Sequence, residues 1–253
     1  MLGLPGLTAV GDCPGEGAQA RFDTLGARLR LRRDAGDGAY RLQGHVADAR
    51  SGSGQLVWDA QLRTQGAAPA LTVVAPVQAD GRVNVTQKRS ALRAQGTLEA
   101  GGRRYALEGG VGGLDYTQGY LARHTAWRWA FAAGRLEDGT VIGLNLVEGF
   151  NDSAGEANEN ALWVGERLYP LARARFTYAK EDLLQPWAVS TEDGAVQLSF
   201  QPLHVHREER DLKVVVSHFA QPLGLFEGTL RAGGRTLQVK ALPGVTEDQD
   251  MRW

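Results

Sequence analysis

Trp127-Arg128-Trp129-Ala130-Phe131 and, one short turn later, Val141-Ile142-Gly143-Leu144-Asn145-Leu146-Val147 decide the fold of this chain. In the first run Trp127, Trp129 and Phe131 fall on one face of a strand, while Arg128 and Ala130 take the other. Such an aromatic face is either packed core or the wall of a cavity, since apolar pockets with a few polar groups are what small ligands need. In the second run Asn145 is in phase with Val141, Gly143 and Val147, on a strand too apolar to be exposed. A buried amide must find partners, so Asn145 either braces a neighbouring backbone or points at a ligand.

Working outward, the same period of two recurs along most of the chain. Ala27 to Arg32 alternates, with Arg28, Arg30 and Arg32 lining a solvated face. Tyr40 to Val46, Gln55 to Leu62, Ala70 to Val77, Arg82 to Thr86, Ala91 to Glu99 and Arg104 to Glu108 follow at meander spacing. Asp37-Gly38, Ser51-Gly52-Ser53-Gly54, Asp80-Gly81 and Gly101-Gly102 supply hairpin turns. Beyond Trp163 the pattern resumes in Arg175 to Ala179, Ala195 to Gln201, Leu212 to Phe219, Leu225 to Arg231 and Thr236 to Ala241. Only Lys180 to Gln185 reads as a helical turn, stopped by Pro186. Residues 1 to 20 read as a loop or a loosely tied arm. The fold expected is all-β with little helix: two antiparallel halves, each a β-barrel or β-sandwich of roughly six to eight strands, closed because open edges invite aggregation. Gly109-Gly110-Val111-Gly112-Gly113 marks the boundary between an N-terminal β-domain, 1–112, and a C-terminal β-domain, 113–253, or else a wide hairpin loop.

Composition excludes several classes. Lys and Arg number 28 against 29 Asp and Glu, so no basic field covers the chain and nucleic acid is not expected as a partner. Cys13 is the single cysteine, which removes any intrachain disulfide or cysteine-based zinc site and fits a reducing cytoplasm. The first residues lack the positive region of a signal peptide, and no apolar run is long enough to span a membrane. Phosphate-loop and nucleophile-elbow motifs are absent. No metal is expected: His204 and His206 share a strand face, but Arg207 to Arg210 beside them suggest an exposed hairpin end.

The candidate chemistry lies with acids at strand ends. Asp115, Glu159 and Glu247 either form structural ion pairs or, desolvated in a pocket, serve as general acids. Tyr116, Trp127, Trp129, Asn145, Asn160 and His218 are the candidate ligand-contacting residues. His218 is in phase with Leu212, Val214 and Val216 and is expected to face the core.

Asp115-Tyr116, Gly119, Trp127-Arg128-Trp129-Ala130, Gly143-Leu144-Asn145, Glu159-Asn160-Ala161-Leu162, Pro186-Trp187 and Gln221-Pro222 together form a pattern. Gly224, Phe226, Gly228 and the ending Gly244-x-x-Glu247-Asp248-x-Asp250-x-Arg252-Trp253 extend it. It resembles the bacterial domain of unknown function 2804 family over roughly residues 82 to 253, with a shortened and weakly matching first eighty. That family is itself similar to proteins with two lipocalin-like β-domains, among them carotenoid 1,2-hydratases and tocopherol-cyclase-like proteins. The resemblance implies a lipid- or isoprenoid-like ligand in a barrel or interdomain cavity, and no cofactor. It implies either binding alone or carboxylate acid chemistry on a carbon–carbon double bond as a hydratase, cyclase or isomerase. A structural or assembly module without a ligand is the third reading. Two departures matter: Ala220 stands where the family often has His before Gln-Pro, and Gln249 where the ending often reads Glu-Asp-His-Asp. A mechanism resting on either imidazole is closed to this chain.

Overall fold

The computed structural model describes residues 8–13, 17–34, 36–47, 55–77, 81–151, 158–211 and 215–252. Among these the protein is all-β, with no helix. The strands are β1 (Thr8–Cys13), β2 (Gly17–Asp23), β3 (Ala27–Arg33), β4 (Tyr40–Ala47), β5 (Gln55–Arg63), β6 (Leu71–Pro76), β7 (Val83–Ala100), β8 (Arg103–Ala106) and β9 (Val111–Gly119). They continue as β10 (His124–Arg135), β11 (Val141–Glu148), β12 (Ala161–Val164), β13 (Arg167–Pro170), β14 (Ala174–Thr177), β15 (Trp187–Thr191), β16 (Val196–Asp211), β17 (Val216–Ala232) and β18 (Arg235–Arg252).

The chain forms two compact units that are not contiguous in sequence. The first comprises 1–67 and 92–112, the second 68–91 and 113–253, so residues 68–91 join the C-terminal part. In the first unit β1 to β5 pair in sequence order, and β5 then pairs with the second half of β7, which carries β8. Where a loose arm is expected over residues 1 to 20, the described residues form β1 and the start of β2, paired from Thr8↔Phe22 to Cys13↔Gly17. Backbone pairing satisfies these strands without the strict side-chain alternation that reading looked for. The solvated face of β3 is as expected, with Arg28, Arg30 and Arg32 exposed.

In the second unit β6 pairs with the first half of β7, and β10 to β18 form a nine-stranded sheet in the order β13-β12-β11-β10-β18-β17-β16-β15-β14. Its long strands β16, β17 and β18 replace runs that look separate in the sequence. Leu225 to Arg231 therefore continues the strand begun at Val216, through Pro222. His204 and His206 lie within β16, and Arg207 to Arg210 form the end of its hairpin with β17, where Asp211 pairs with Val216. Residues Lys180 to Gln185 form turns, with the Leu184 amide donating to Asp182 Oδ1 at 3.1 Å, and no helical turn.

One face of this curled sheet makes the core. Ala130, Ala132, Ile142, Leu144, Leu146 and Leu162 meet Trp187, Val189, Leu198, Phe200, Phe226 and Leu230, all buried. Phe200 and Phe226 pack with ring centroids 4.5 Å apart. The even-numbered residues of β10 and β11 point into this core, which leaves the odd-numbered ones for the opposite face. That face is covered by the first half of β7. Gly143 is required there: a Cβ at that position would lie 2.6 Å from Ser90 Cβ and 2.7 Å from the Ala91 amide. With both faces covered, β11 is buried along almost its whole length.

Candidate functional site

On the odd-numbered face, strand register brings the aromatic run and an acid together. Trp129 is directly opposite Val147 on β11 and Glu247 on β18, and Trp127 is one pair along, opposite Gln249. Cross-strand neighbours of this kind are in side-chain contact. The indole N–H of Trp127 donates to Glu247 Oε1 at 2.7 Å. Gln221 Nε2 donates to the other carboxyl oxygen at 3.0 Å. The ladder between β17 and β18 is interrupted at Gln221-Pro222, where proline has no N–H to contribute.

Asn145 braces the same face. Only 1% exposed, it accepts from the Trp129 indole N–H at 2.8 Å and donates to the Glu159 carbonyl at 2.7 Å. It therefore fixes the ring plane of Trp129 and the start of β12 with one amide. Asn160 holds that start from the other side, accepting from the Val147 amide at 2.6 Å and donating to the Ala172 carbonyl at 3.2 Å.

The remaining acids meet on a lysine that sequence reasoning missed. Lys88 Nζ donates to Asp115 Oδ2 at 2.6 Å and lies 3.0 Å from Glu159 Oε2, an ion pair without hydrogen-bond alignment at that oxygen. Glu159 Oε1 accepts from Asn151 Nδ2 at 2.5 Å, and Asn151 in turn exchanges amide bonds with Asn84 at 3.0 and 3.1 Å. Burial pushes the Glu159 carboxyl above its ordinary value, against the pull of Lys88 and Asn151. Burial likewise raises Glu247, against its Trp127 and Gln221 hydrogen bonds. The signal for Lys88 was present in the sequence: Asn84, Thr86, Lys88 and Ser90 alternate at the strand period and are all buried. A polar run between two apolar ones reads as a connection, whereas β7 passes straight through it.

Lys88, Asp115, Thr117, Leu121, Trp127, Trp129, Val147, Phe150, Glu159 and Glu247 line one pocket, with about 590 Å³ of empty space opening to solvent. Its walls are chiefly apolar, with the Trp127 and Phe150 rings tilted at 5.5 Å and Trp129 stacked on Phe131 at 5.9 Å. A second pocket of about 520 Å³ adjoins it through Lys88, Asp115 and Trp129 and is lined also by Phe131, Asn145 and Trp163. Thus Asp115, Glu159, Glu247, Trp127 and Trp129 come together at one pocket and Asn145 at the next.

Tyr116, Asn160 and His218 do not join them as lining residues. The Tyr116 hydroxyl donates to Gln118 Oε1 at 2.7 Å, and Asn160 is a backbone brace. His218 corrects an expectation: it is exposed, its side chain 61% accessible, and it pairs with Glu209, its cross-strand neighbour. Ser217 takes the inward position instead, so the strand phase is shifted by one from that expected. His218 lines a separate polar depression with Arg128, Arg207 and Asp248. No group of His, Cys, Asp and Glu suited to a metal occurs among the described residues.

An all-β chain with a curled antiparallel sheet, carrying on one face an aromatic pocket with an acidic floor, defines the structural class. By its sequence the chain belongs to the DUF2804 family, a domain of unknown function, whose family model matches residues 5–253. The match therefore takes in residues 5–80, where the resemblance was weak. No curated protein matches the chain. Among solved structures it is similar to a Nitrosomonas europaea protein provisionally described as AttH, at 16% identity over 92% of this chain and 69% of that one, with a TM-score of 0.40. No helix among the described residues is long and apolar enough to cross a membrane.

Proposed function

We propose that this protein binds a hydrophobic small molecule, lipid- or isoprenoid-like, in the pocket floored by Glu247 and walled by Trp127 and Trp129. The observation that carries this reading is an open, mainly apolar pocket whose aromatic rings are held by specific hydrogen bonds, from Trp127 to Glu247 and from Trp129 to Asn145. Preorganised apolar walls with a few oriented polar groups are the usual form of a small-molecule site. A structural module would gain more by filling that space, because packing voids cost stability. The lone Cys13 accords with a cytoplasmic setting for this role. Organic extraction of the purified protein followed by mass spectrometry tests the proposal. A stoichiometric apolar molecule, lost from a Trp127→Ala, Trp129→Ala double variant, is the expected result. A clean extract from a wild-type protein whose tryptophan fluorescence also ignores apolar probes would refute it.

A second reading is favoured by one feature of the same pocket. Lys88 serves Asp115 and Glu159, whereas Glu247, only 8% exposed, has neutral hydrogen-bond partners and a raised pKa. A carboxyl that burial makes hold its proton more tightly than usual is better matched to general-acid work. Glu247 would transfer its proton to one carbon of a double bond. The other carbon would be left cationic beside the Trp127 and Trp129 faces, and loss of a proton or addition of water would complete an isomerisation or a hydration. Turnover of an unsaturated ligand that survives Glu247→Gln would remove this reading and leave the binding role intact.

A further inference from the structure

Resting on the binding role proposed above, we infer that the natural ligand carries a cationic headgroup, an amine or quaternary ammonium, on its apolar body. The charge arrangement in the pocket selects for it. The charged side chains lining it are Lys88, Asp115, Glu159 and Glu247, three acids against one ammonium. Lys88 is already shared between Asp115 and Glu159, at 2.6 and 3.0 Å, and is itself buried. It has no charge to spare for an incoming carboxylate or phosphate. An anionic amphiphile such as a fatty acid would instead bring a further like charge against Glu247 and Asp115.

Glu247 accepts from Trp127 and Gln221, both neutral, and among the described residues no cation forms an ion pair with it, Lys88 acting on it only from a distance. Each carboxylate oxygen holds a further lone pair beyond the one so used. Asp115, with its side chain 39% exposed, faces the same opening. Around these acids stand Trp127, Trp129 and Phe150, whose ring faces attract a cation electrostatically. Aromatic faces and carboxylates surrounding one opening suit an alkylammonium group, and the adjoining apolar space suits its tail.

The test compares three probes of equal chain length against the full-length protein near neutral pH: octyltrimethylammonium, 1-octanol and octanoate. Affinity is read by calorimetry and by tryptophan fluorescence. The expected result is that the ammonium binds at least about tenfold more tightly than either of the others, the size of a desolvated cation–π and carboxylate contact. Glu247→Gln, and separately Asp115→Asn should the first variant fold poorly, narrows the gap between ammonium and alcohol to less than about threefold. Octanol or octanoate binding as tightly as the ammonium, or a gap that neither variant narrows, overturns the headgroup assignment while leaving a hydrophobic site. Failure of all three probes overturns the binding role as well.

Discussion

Asn145→Ala removes the brace on which the pocket face depends, and its cost follows from the bonds it makes. Two hydrogen bonds are lost, one from the Trp129 indole and one to the Glu159 carbonyl, in a setting where Asn145 is 1% exposed. Alanine satisfies neither group, and each buried unpaired donor or acceptor costs about 1–3 kcal/mol. The expected destabilisation is therefore about 2–6 kcal/mol, which lowers the melting temperature of a chain of this size by roughly 4–24 °C. Urea titration followed by tryptophan fluorescence reads this directly, because Trp129 reports on the bond removed. Asn145→Asp sharpens the test. It keeps the acceptor for Trp129 but places a carboxylate against the Glu159 carbonyl, so it should be no better tolerated than alanine near neutral pH and should recover stability as pH falls and a hydroxyl donor is restored. A loss below about 1 kcal/mol in Asn145→Ala, or an aspartate variant as stable as wild type at neutral pH, would refute the bracing role.

Three further outcomes follow from the same geometry. For Glu247 the folded-state pKa is raised by burial above its ordinary 4.5, so the favourable protonated form is fully present below that value. Its contribution is lost as pH rises through the folded pKa, at up to about 1.4 kcal/mol per pH unit; Glu247→Gln should flatten this slope in urea titrations and be at least as stable as wild type near neutrality. Lys88→Met strips Glu159 of its cation and should cost about 3–5 kcal/mol near neutral pH, with the loss shrinking below the carboxylate range; a pH-independent loss would assign the effect to packing. Gly143→Ala forces a methyl against Ser90 and the Ala91 amide and should cost about 1–3 kcal/mol; an unchanged melting temperature would show that β7 does not lie against that face.

The all-β class was legible because alternation and turn residues agree along most of the chain. Gly38, Gly101 and Gly102 take positive φ in the turns assigned to them, while Ser51-Gly52-Ser53-Gly54 lies outside the described residues. Strand lengths were not legible, since period two marks only the half-buried part of a strand. β16 runs on through Pro202 and β17 through Pro222, and the second half of β16 has no buried residue to mark its phase. The tryptophans that line the pocket were legible as candidates because they share one strand face, and the acids because they stand near the ends of apolar runs. Lys88 was not, because its inward face carries Asn84, Thr86 and Ser90, and a buried polar face is a pattern that hydrophobic periodicity cannot detect. His218 shows the converse: strand phase placed it inward, but a cross-strand carboxylate at Glu209 gives it a partner on the outside.

The division of labour in β11 explains how such a pocket is tolerated in a folded chain. Ile142, Leu144 and Leu146 bury their side chains in the core face, where full burial is worth about 1.5–3 kcal/mol each. Gly143, Asn145 and Val147, interleaved with them, give the opposite face a close approach, a brace and a wall. Core packing and the pocket's framework thus occupy alternate residues of one strand. The apolar contacts of one face can carry the desolvation of Glu159 and Glu247 on the other. Burial raises the pKa values of both acids, so keeping either one ionised there costs free energy that the core face must offset.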